Sequence, residues 1–216
     1  MSAPNSSLKL AGFIHRFIPS DTGAGAPVAL LLHGTGGTED DMLNLGRTIA
    51  PGAALLSPRG KILEHGQPRF FRRLAEGVFD EADLILRTNE LADFVAAAAK
   101  QYQFDLRKVT AIGYSNGANM AASLLLLRPE TLRAAVLLRA MVPLIPEALP
   151  DLRGVGVFIA AGKSDPLISP AGTERLTKLL REAGAGVELE WQPVGHKLTS
   201  PEITRAHEWL SGFLAR

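Results

Sequence analysis

Val109-Thr110-Ala111-Ile112-Gly113-Tyr114-Ser115-Asn116-Gly117-Ala118-Asn119-Met120-Ala121-Ala122 is the stretch on which the reading of this chain turns. An apolar run of strand type ends at Gly113 and a helix-prone run begins at Ala118, so the GxSxG between them reads as a sharp strand-to-helix turn. Such an elbow exposes Ser115 in a strained backbone, and it needs small residues two before and two after, where strand and helix pass closely. Gly113 and Gly117 meet that need. GxSxG is short enough to arise by chance as an ordinary Gly-rich turn, so the decision rests on its surroundings.

Those surroundings alternate strand and helix. Upstream, Leu8 to Ile18 reads as an opening strand or hairpin, Ser20 to Pro27 as a turn, and Val28 to Leu32 as a strand covered on both faces. His33-Gly34-Thr35-Gly36-Gly37 follows it, then a helix over Glu39 to Ile49 with Thr38 as N-cap, and a short strand at Ala53 to Leu56. Pro58 to Phe79 has no period and reads as a long functional flap. A strong helix runs from Asp80 through Lys100. Downstream of the elbow come strands at Ala134 to Leu138, Val155 to Ala160 and Val187 to Trp191, with a helix at Ala171 to Ala183 stopped by Gly184. The last helix ends at Leu214 and starts either at a Thr199/Glu202 capping box or at Ser200 with Pro201. The expected fold is α/β: a mostly parallel central sheet with helices on both faces.

Composition narrows the function. The chain has 216 residues, 46% of them apolar and 21% charged, which suits one globular domain over 8–216 behind a disordered lead-in at Met1 to Ser7. Met1 to Ser7 lacks the basic start and apolar core of a signal peptide. Net charge is +1, so no global field favours nucleic acid or an anionic membrane. The longest uncharged stretch, Val109 to Leu127, holds the elbow and makes a poor membrane span. Cysteine is absent, which excludes disulfides, thiolate metal sites and a cysteine nucleophile and is compatible with a cytoplasmic location.

A serine hydroxyl needs a base, and the base is usually a histidine oriented by a carboxylate. With a GxSxG elbow the chain order is serine, acid, histidine, which leaves His196 and His207 as bases. His207 sits within the last helix beside Arg205 and Glu208, a surface setting; His196 lies in a loop just past the final strand. Chemistry in a parallel sheet gathers at the carboxyl ends of strands. Asp165 follows the Val155 to Ala160 strand and meets that rule, whereas Asp151 precedes the same strand and belongs to the opposite edge. Taken singly, Asp165 reads as a turn or capping residue and His196 as ordinary surface. Two backbone amides are needed for the developing oxyanion, each worth on the order of 3–4 kcal/mol. Asn116, after the nucleophile, and Thr35, in the loop after the early strand, are the candidates. That loop has neither the complete GxGxxG spacing nor a Walker lysine, so a phosphate cradle is disfavoured.

HGTGG, GYSNGA, GKSDPLI and VGHKLT, in that order, resemble the phospholipase/carboxylesterase family of α/β-hydrolases, which includes acyl-protein thioesterases and bacterial carboxylesterases. The likeness runs from the Val28 strand to the terminal helix. Pro58-Arg59-Gly60 through Pro68 to Arg73 is most similar to a bacterial branch of hydroquinone-responsive hydrolases. The resemblance implies an α/β-hydrolase fold, a Ser115, His196, Asp165 triad and a homodimer. Thioesterases of the family carry Gln after the serine; Asn116 departs from this, while its backbone amide still serves the oxyanion.

Only Ala140 to Arg153 is available for a lid, so no separate lid domain is expected. Met141, Val142, Leu144, Leu167, Ile168 and Phe71 are candidates for lining an acyl pocket, against the plainer reading that they pack loop on core. Arg69, Arg72 and Arg73 lie near Glu64, Glu76 and Asp80, which favours an internally paired face over an anion site. The expected activity is cleavage of short to medium carboxylic esters through an acyl-enzyme, without cofactor. Lysophospholipid or acyl-protein thioester hydrolysis is the alternative, and a non-catalytic small-molecule binder on the same scaffold a further one. No HExxH or paired ligand cluster points to a metal.

Overall fold

The computed structural model describes residues 7–23 and 25–215. Of the lead-in expected over residues 1–7, residues 1–6 lie outside the described residues, while Ser7 is placed, its hydroxyl donating to Glu39. β1 (Leu8–Leu10) and β2 (Phe13–Ile18) form a hairpin turned at Ala11 and Gly12, both in the left-handed region at φ +47° and +79°. β3 (Val28–Leu32) leads to α1 (Leu43–Ile49) and β4 (Ala54–Pro58). Two small antiparallel hairpins follow, β5 (Ile62–Glu64) with β6 (Gln67–Arg69), and β7 (Arg73–Ala75) with β8 (Val78–Phe79). The remaining order is α2 (Glu81–Tyr102), β9 (Val109–Tyr114), α3 (Asn116–Leu127), β10 (Ala134–Leu138), β11 (Gly156–Gly162), α4 (Pro170–Glu182), β12 (Gly186–Gln192) and α5 (Ser200–Leu214).

The main sheet has eight strands in the order β1-β2-β4-β3-β9-β10-β11-β12. From β4 to β12 all neighbours are parallel; the antiparallel pairs are β1 with β2 and β2 with β4, so β2 alone runs against the rest of the sheet. The continuous apolar runs of β3 and β10 are buried along their whole length, because helices cover both faces of the sheet. α2, α3 and α4 pack on one face through residues such as Leu91, Leu124 and Leu176; α1 and α5 cover the other through Ile49 and Leu210. β3 sends the chain outward to β4, while β9 starts the march in the opposite direction. The carboxyl ends of β3 and β9 therefore flank a topological switch point, the place where such sheets hold ligands.

Three expectations about elements change. The helix foreseen from Glu39 begins at Leu43, because Glu39 is fully buried and held by two hydrogen bonds from the Arg59 guanidinium, at 2.5 and 2.9 Å. Thr38 caps a turn instead of a helix, its amide donating to Asp41 and its hydroxyl accepting from the Asp40 amide. The 58–79 flap, aperiodic in sequence, carries the two hairpins. Of the two starts the sequence leaves open for α5, the structure takes the Thr199/Glu202 capping box, with Thr199 as N-cap.

The crossing of β9, α3 and β3 is the tightest backbone contact that bears on the site. A Cβ on Gly113 would lie 2.5 Å from the Gly117 carbonyl oxygen, and one on Gly117 would collide with the Leu32 and His33 carbonyls. Gly117→Ala should therefore cost about 3 kcal/mol, the upper end of the usual range for overpacking, since backbone and not a yielding side chain must move. Urea unfolding measures this, and an unchanged midpoint would refute it.

Burial pushes the Glu39 carboxyl up, but the bonds from Arg59 and Ser7 outweigh it and hold the group down at about 2 against an ordinary 4.5. A depressed folded value stabilises above the unfolded one, so the contribution is complete above about pH 4.5 and fades toward pH 2. Glu39→Gln should accordingly be less stable than wild type at neutral pH, with the gap closing as acid is added. Parallel melting curves that keep a constant gap down to pH 3 would contradict this reading.

Candidate active site

Ser115 sits between β9 and α3 with φ +53° and ψ −114°, a left-handed conformation that costs a non-glycine residue of order 1–3 kcal/mol. Its neighbours hold it there: the Ser115 amide donates to the Leu138 carbonyl at 2.9 Å, and its carbonyl accepts from the Asn119 amide at 3.0 Å. The hydroxyl is thereby carried out over the end of the sheet.

The structure brings the three sequence-predicted residues into one hydrogen-bonded chain. His196 Nε2 lies 2.9 Å from Ser115 Oγ, and His196 Nδ1 lies 2.8 Å from Asp165 Oδ2. A carboxylate only accepts, so Nδ1 carries the proton and Nε2 is left free to accept from the serine hydroxyl. Asp165 is fixed in turn, its other oxygen accepting from the Leu167 and Ile168 amides at 2.8 and 3.2 Å. Its side chain is 1% exposed, against 20% for the imidazole. Ser and His therefore face the opening while the acid lies behind them. His207, the rejected base, points elsewhere, with Nδ1 3.1 Å from the Ile49 carbonyl.

The oxyanion candidates also converge. The Asn116 amide is the first of α3, where helix geometry leaves N–H groups without intrahelical acceptors. Among the described residues the Thr35 amide has no protein acceptor. The loop that carries it is locked by His33, which is 1% exposed. His33 Nδ1 lies 2.7 Å from the Gly34 carbonyl, and Nε2 accepts from the Gly60 amide at 2.9 Å. This is the neutral Nδ1–H tautomer. Burial lowers the His33 pKa, which keeps it so. The Gly36 amide donates to the Pro68 carbonyl, and the Asn116 side-chain oxygen accepts from the Phe70 amide, so the flap is bound to both halves of the pocket rim.

A cavity of about 270 Å³ opens over Ser115. Its walls include Thr35, Asn116, Tyr114, Met141, Leu167, Ile168 and His196, with Arg69, Arg73 and Glu76 on the flap side. Met141 and Leu167, both candidates for the pocket, line this cavity. Phe71 does not: it is fully buried, packed edge-on against Phe79 at 5.0 Å, because the β7–β8 hairpin covers it. Val142 and Leu144 border a separate surface depression. The three arginines are paired as expected, Arg69 and Arg73 with Glu64 and Arg72 with Asp80 and Asp83, although Arg69 is only 3% exposed.

Two contributors went unseen in the sequence. Tyr114 donates through its hydroxyl to the His196 carbonyl at 3.2 Å and lines the cavity; its place inside the GxSxG motif was the available signal. Arg139 falls between the Ala134 to Leu138 strand and the loop after it with no motif to single it out, yet it is wholly buried and reaches the loop that holds His196.

Comparison with known proteins agrees with this architecture. The model of the dienelactone hydrolase family matches residues 19–208. MhqD of Bacillus subtilis (strain 168), whose assigned name is that of a hydrolase, is 52% identical over 189 residues, spanning 88% of this chain and 94% of its own. Among solved structures, the Bacillus cereus carboxylesterase is 50% identical with a TM-score of 0.91, covering 93% of this chain and 94% of that one. The Mesorhizobium loti carboxylesterase is 33% identical with a TM-score of 0.88, covering 97% and 100%. The Arabidopsis thaliana protein SOBER1, 19% identical with a TM-score of 0.74, shares the fold. With an eight-stranded sheet, an elbow at a switch point and these relatives, the chain belongs to the dienelactone hydrolase family of α/β-hydrolases and is a carboxylic ester hydrolase.

Proposed function

We propose that the protein hydrolyses small carboxylic esters through an acyl-enzyme on Ser115, with His196 as general base and acid and Asp165 as its orienting carboxylate. The observation that carries this is the unbroken chain from Ser115 Oγ to His196 Nε2 and from Nδ1 to Asp165, lying at the floor of a cavity. In this reading Ser115 Oγ attacks the ester carbonyl while its proton passes to Nε2. The carbonyl electron pair moves onto oxygen, and the Thr35 and Asn116 amides hold that oxyanion. Collapse re-forms the carbonyl and expels the alkoxide, which leaves as alcohol with the proton from Nε2. A water then gives a proton to Nε2 and attacks the acyl carbon; the second collapse releases the acid and returns the proton to Ser115.

Cavity size supports short substrates. About 270 Å³ is below the usual 300–1,000 Å³ of small-molecule pockets, and the opening lies directly over the serine. A long acyl chain would have to lie along the surface. The lysophospholipid and acyl-protein thioester readings are accordingly second, and the non-catalytic binder third, because a binder gains nothing from an acid aligned behind an imidazole.

Assay of a series of p-nitrophenyl esters of rising acyl length tests this. Activity should be greatest with the short esters and fall as the chain lengthens, and Ser115→Ala should lose roughly 10⁶-fold in kcat while keeping its melting temperature. Rates that climb toward long chains would favour the lysophospholipase reading. Ester hydrolysis surviving in Ser115→Ala would overturn the assignment of the nucleophile.

A further inference from the structure

We propose that Arg139, held by Glu202, is a positioning residue that sets the backbone of the His196 loop and so aims the imidazole at Ser115. The inference rests on the triad reading above and extends it to two side chains that touch neither substrate nor reacting atoms.

The 194–197 loop lies past the end of β12, outside any helix or strand, and its carbonyls have no ladder partners. A loop of this kind ordinarily gives its carbonyls to water and moves. Here each is taken by a specific donor. The Val194 carbonyl accepts from the Ser164 amide at 3.1 Å. The Gly195 carbonyl accepts from Arg139 Nε at 3.1 Å, the His196 carbonyl from the Tyr114 hydroxyl at 3.2 Å, and the Lys197 carbonyl from Arg139 Nη2 at 2.7 Å. One guanidinium thus grips the loop on both sides of the histidine. A planar fork with five donors can do this, whereas an ammonium could not span the same set.

The grip is itself anchored. Arg139 and Glu202 have fully buried side chains and form a two-pronged pair at 2.5 and 2.9 Å, and Arg139 Nη1 also donates to the Ala160 carbonyl at 3.2 Å. Glu202 is fixed by the α5 capping box with Thr199. The Arg139 backbone is left-handed at φ +62°, and its amide donates to the Ala160 carbonyl at 3.0 Å. A non-glycine residue stays there only where the surroundings over-determine it. One position earlier, the Leu138 carbonyl pins the Ser115 amide. The end of β10 therefore fixes the nucleophile through one carbonyl and the histidine loop through the next side chain, so the two reacting groups share one frame of reference.

A buried ion pair is weak evidence for stability, because apolar residues of similar size often replace one at no cost. That makes positioning separable from folding. In Arg139→Met with Glu202→Leu, the core remains filled and uncharged but the loop carbonyls lose their donors. Circular dichroism and thermal melting should stay close to wild type, while kcat for p-nitrophenyl acetate falls by about 10²-fold with little change in KM, as expected for misaimed catalytic groups. The far-downfield proton resonance of the His196 Nδ1–H bonded to Asp165 should weaken. In the single variant Arg139→Met, added methylguanidinium should restore part of the rate, and Arg139→Lys should fall between.

A folded double variant with unchanged kcat and an unchanged downfield resonance would overturn the proposal, as would a rate loss that merely tracks the unfolded fraction. Should the double variant not fold, Arg139→Lys, which keeps the pair neutral, decides by the same split: an unaltered kcat sinks the idea. Wild type and Ser115→Ala run alongside. An active Ser115→Ala would strike the triad reading itself, while an inactive one beside fully active Arg139 variants would strike the brace alone.

Discussion

The approach of α3 to β3 across Gly117 is the constraint on which the rest of the site depends. With no side chain at that position, the first turn of the helix comes against the Leu32 and His33 carbonyls, and Gly113 lets the same helix lie on the end of β9. Ser115, caught between, has no relaxed conformation open to it and takes a positive φ. The contact also sets the distance between the two amides proposed for the oxyanion, since Asn116 precedes Gly117 and Thr35 follows His33 closely. Both donors are backbone groups on segments pressed together. Their geometry is therefore fixed by strand and helix packing, which a sheet with buried strands can supply at little motional cost.

That dependence explains what the sequence disclosed. Val28 to Leu32 and Ala134 to Leu138 are apolar at every position because both faces are covered, and such runs need no knowledge of partners to be read as central strands. Once the strands are placed, the rule that chemistry gathers at their carboxyl ends separates Asp165 from Asp151 and His196 from His207 without any distance being known. The elbow glycines carry their own reason in the same local way.

What stayed hidden depends on contacts far apart in sequence. Glu39 looks like a first-turn helix residue, and only its burial beside Arg59, 20 positions away, keeps the helix from starting there. Phe71 has the apolarity of a pocket wall but is roofed by Phe79 from the next hairpin. The flap shows no period because its hairpin strands are only two or three residues long, and the segment is tied to the rest of the site by single long-range bonds, Gly60 to His33 and Phe70 to Asn116, which leave no pattern in a linear string. Arg139 and Glu202 stand 63 residues apart, and neither neighbourhood marks them as a pair.

Five histidines with the same intrinsic chemistry differ here only in what surrounds them. His33 stands at the end of β3 close to the serine, but both ring nitrogens are bound to backbone, so neither can take a proton without breaking the loop it supports. His15 is enclosed, with burial lowering its pKa, and its Nε2 is bound to the Tyr102 hydroxyl. His207 points at the Ile49 carbonyl, and His65 sits in the left-handed turn of the first flap hairpin. His196 differs in that one nitrogen meets a carboxylate while the other meets a hydroxyl, at the cavity wall. In the proposed cycle the imidazole must be charged and discharged twice per turnover while its backbone stays still. Donors on the carbonyls of residues 194–197 answer that need, because they restrain the loop through groups that take no part in the proposed proton transfer.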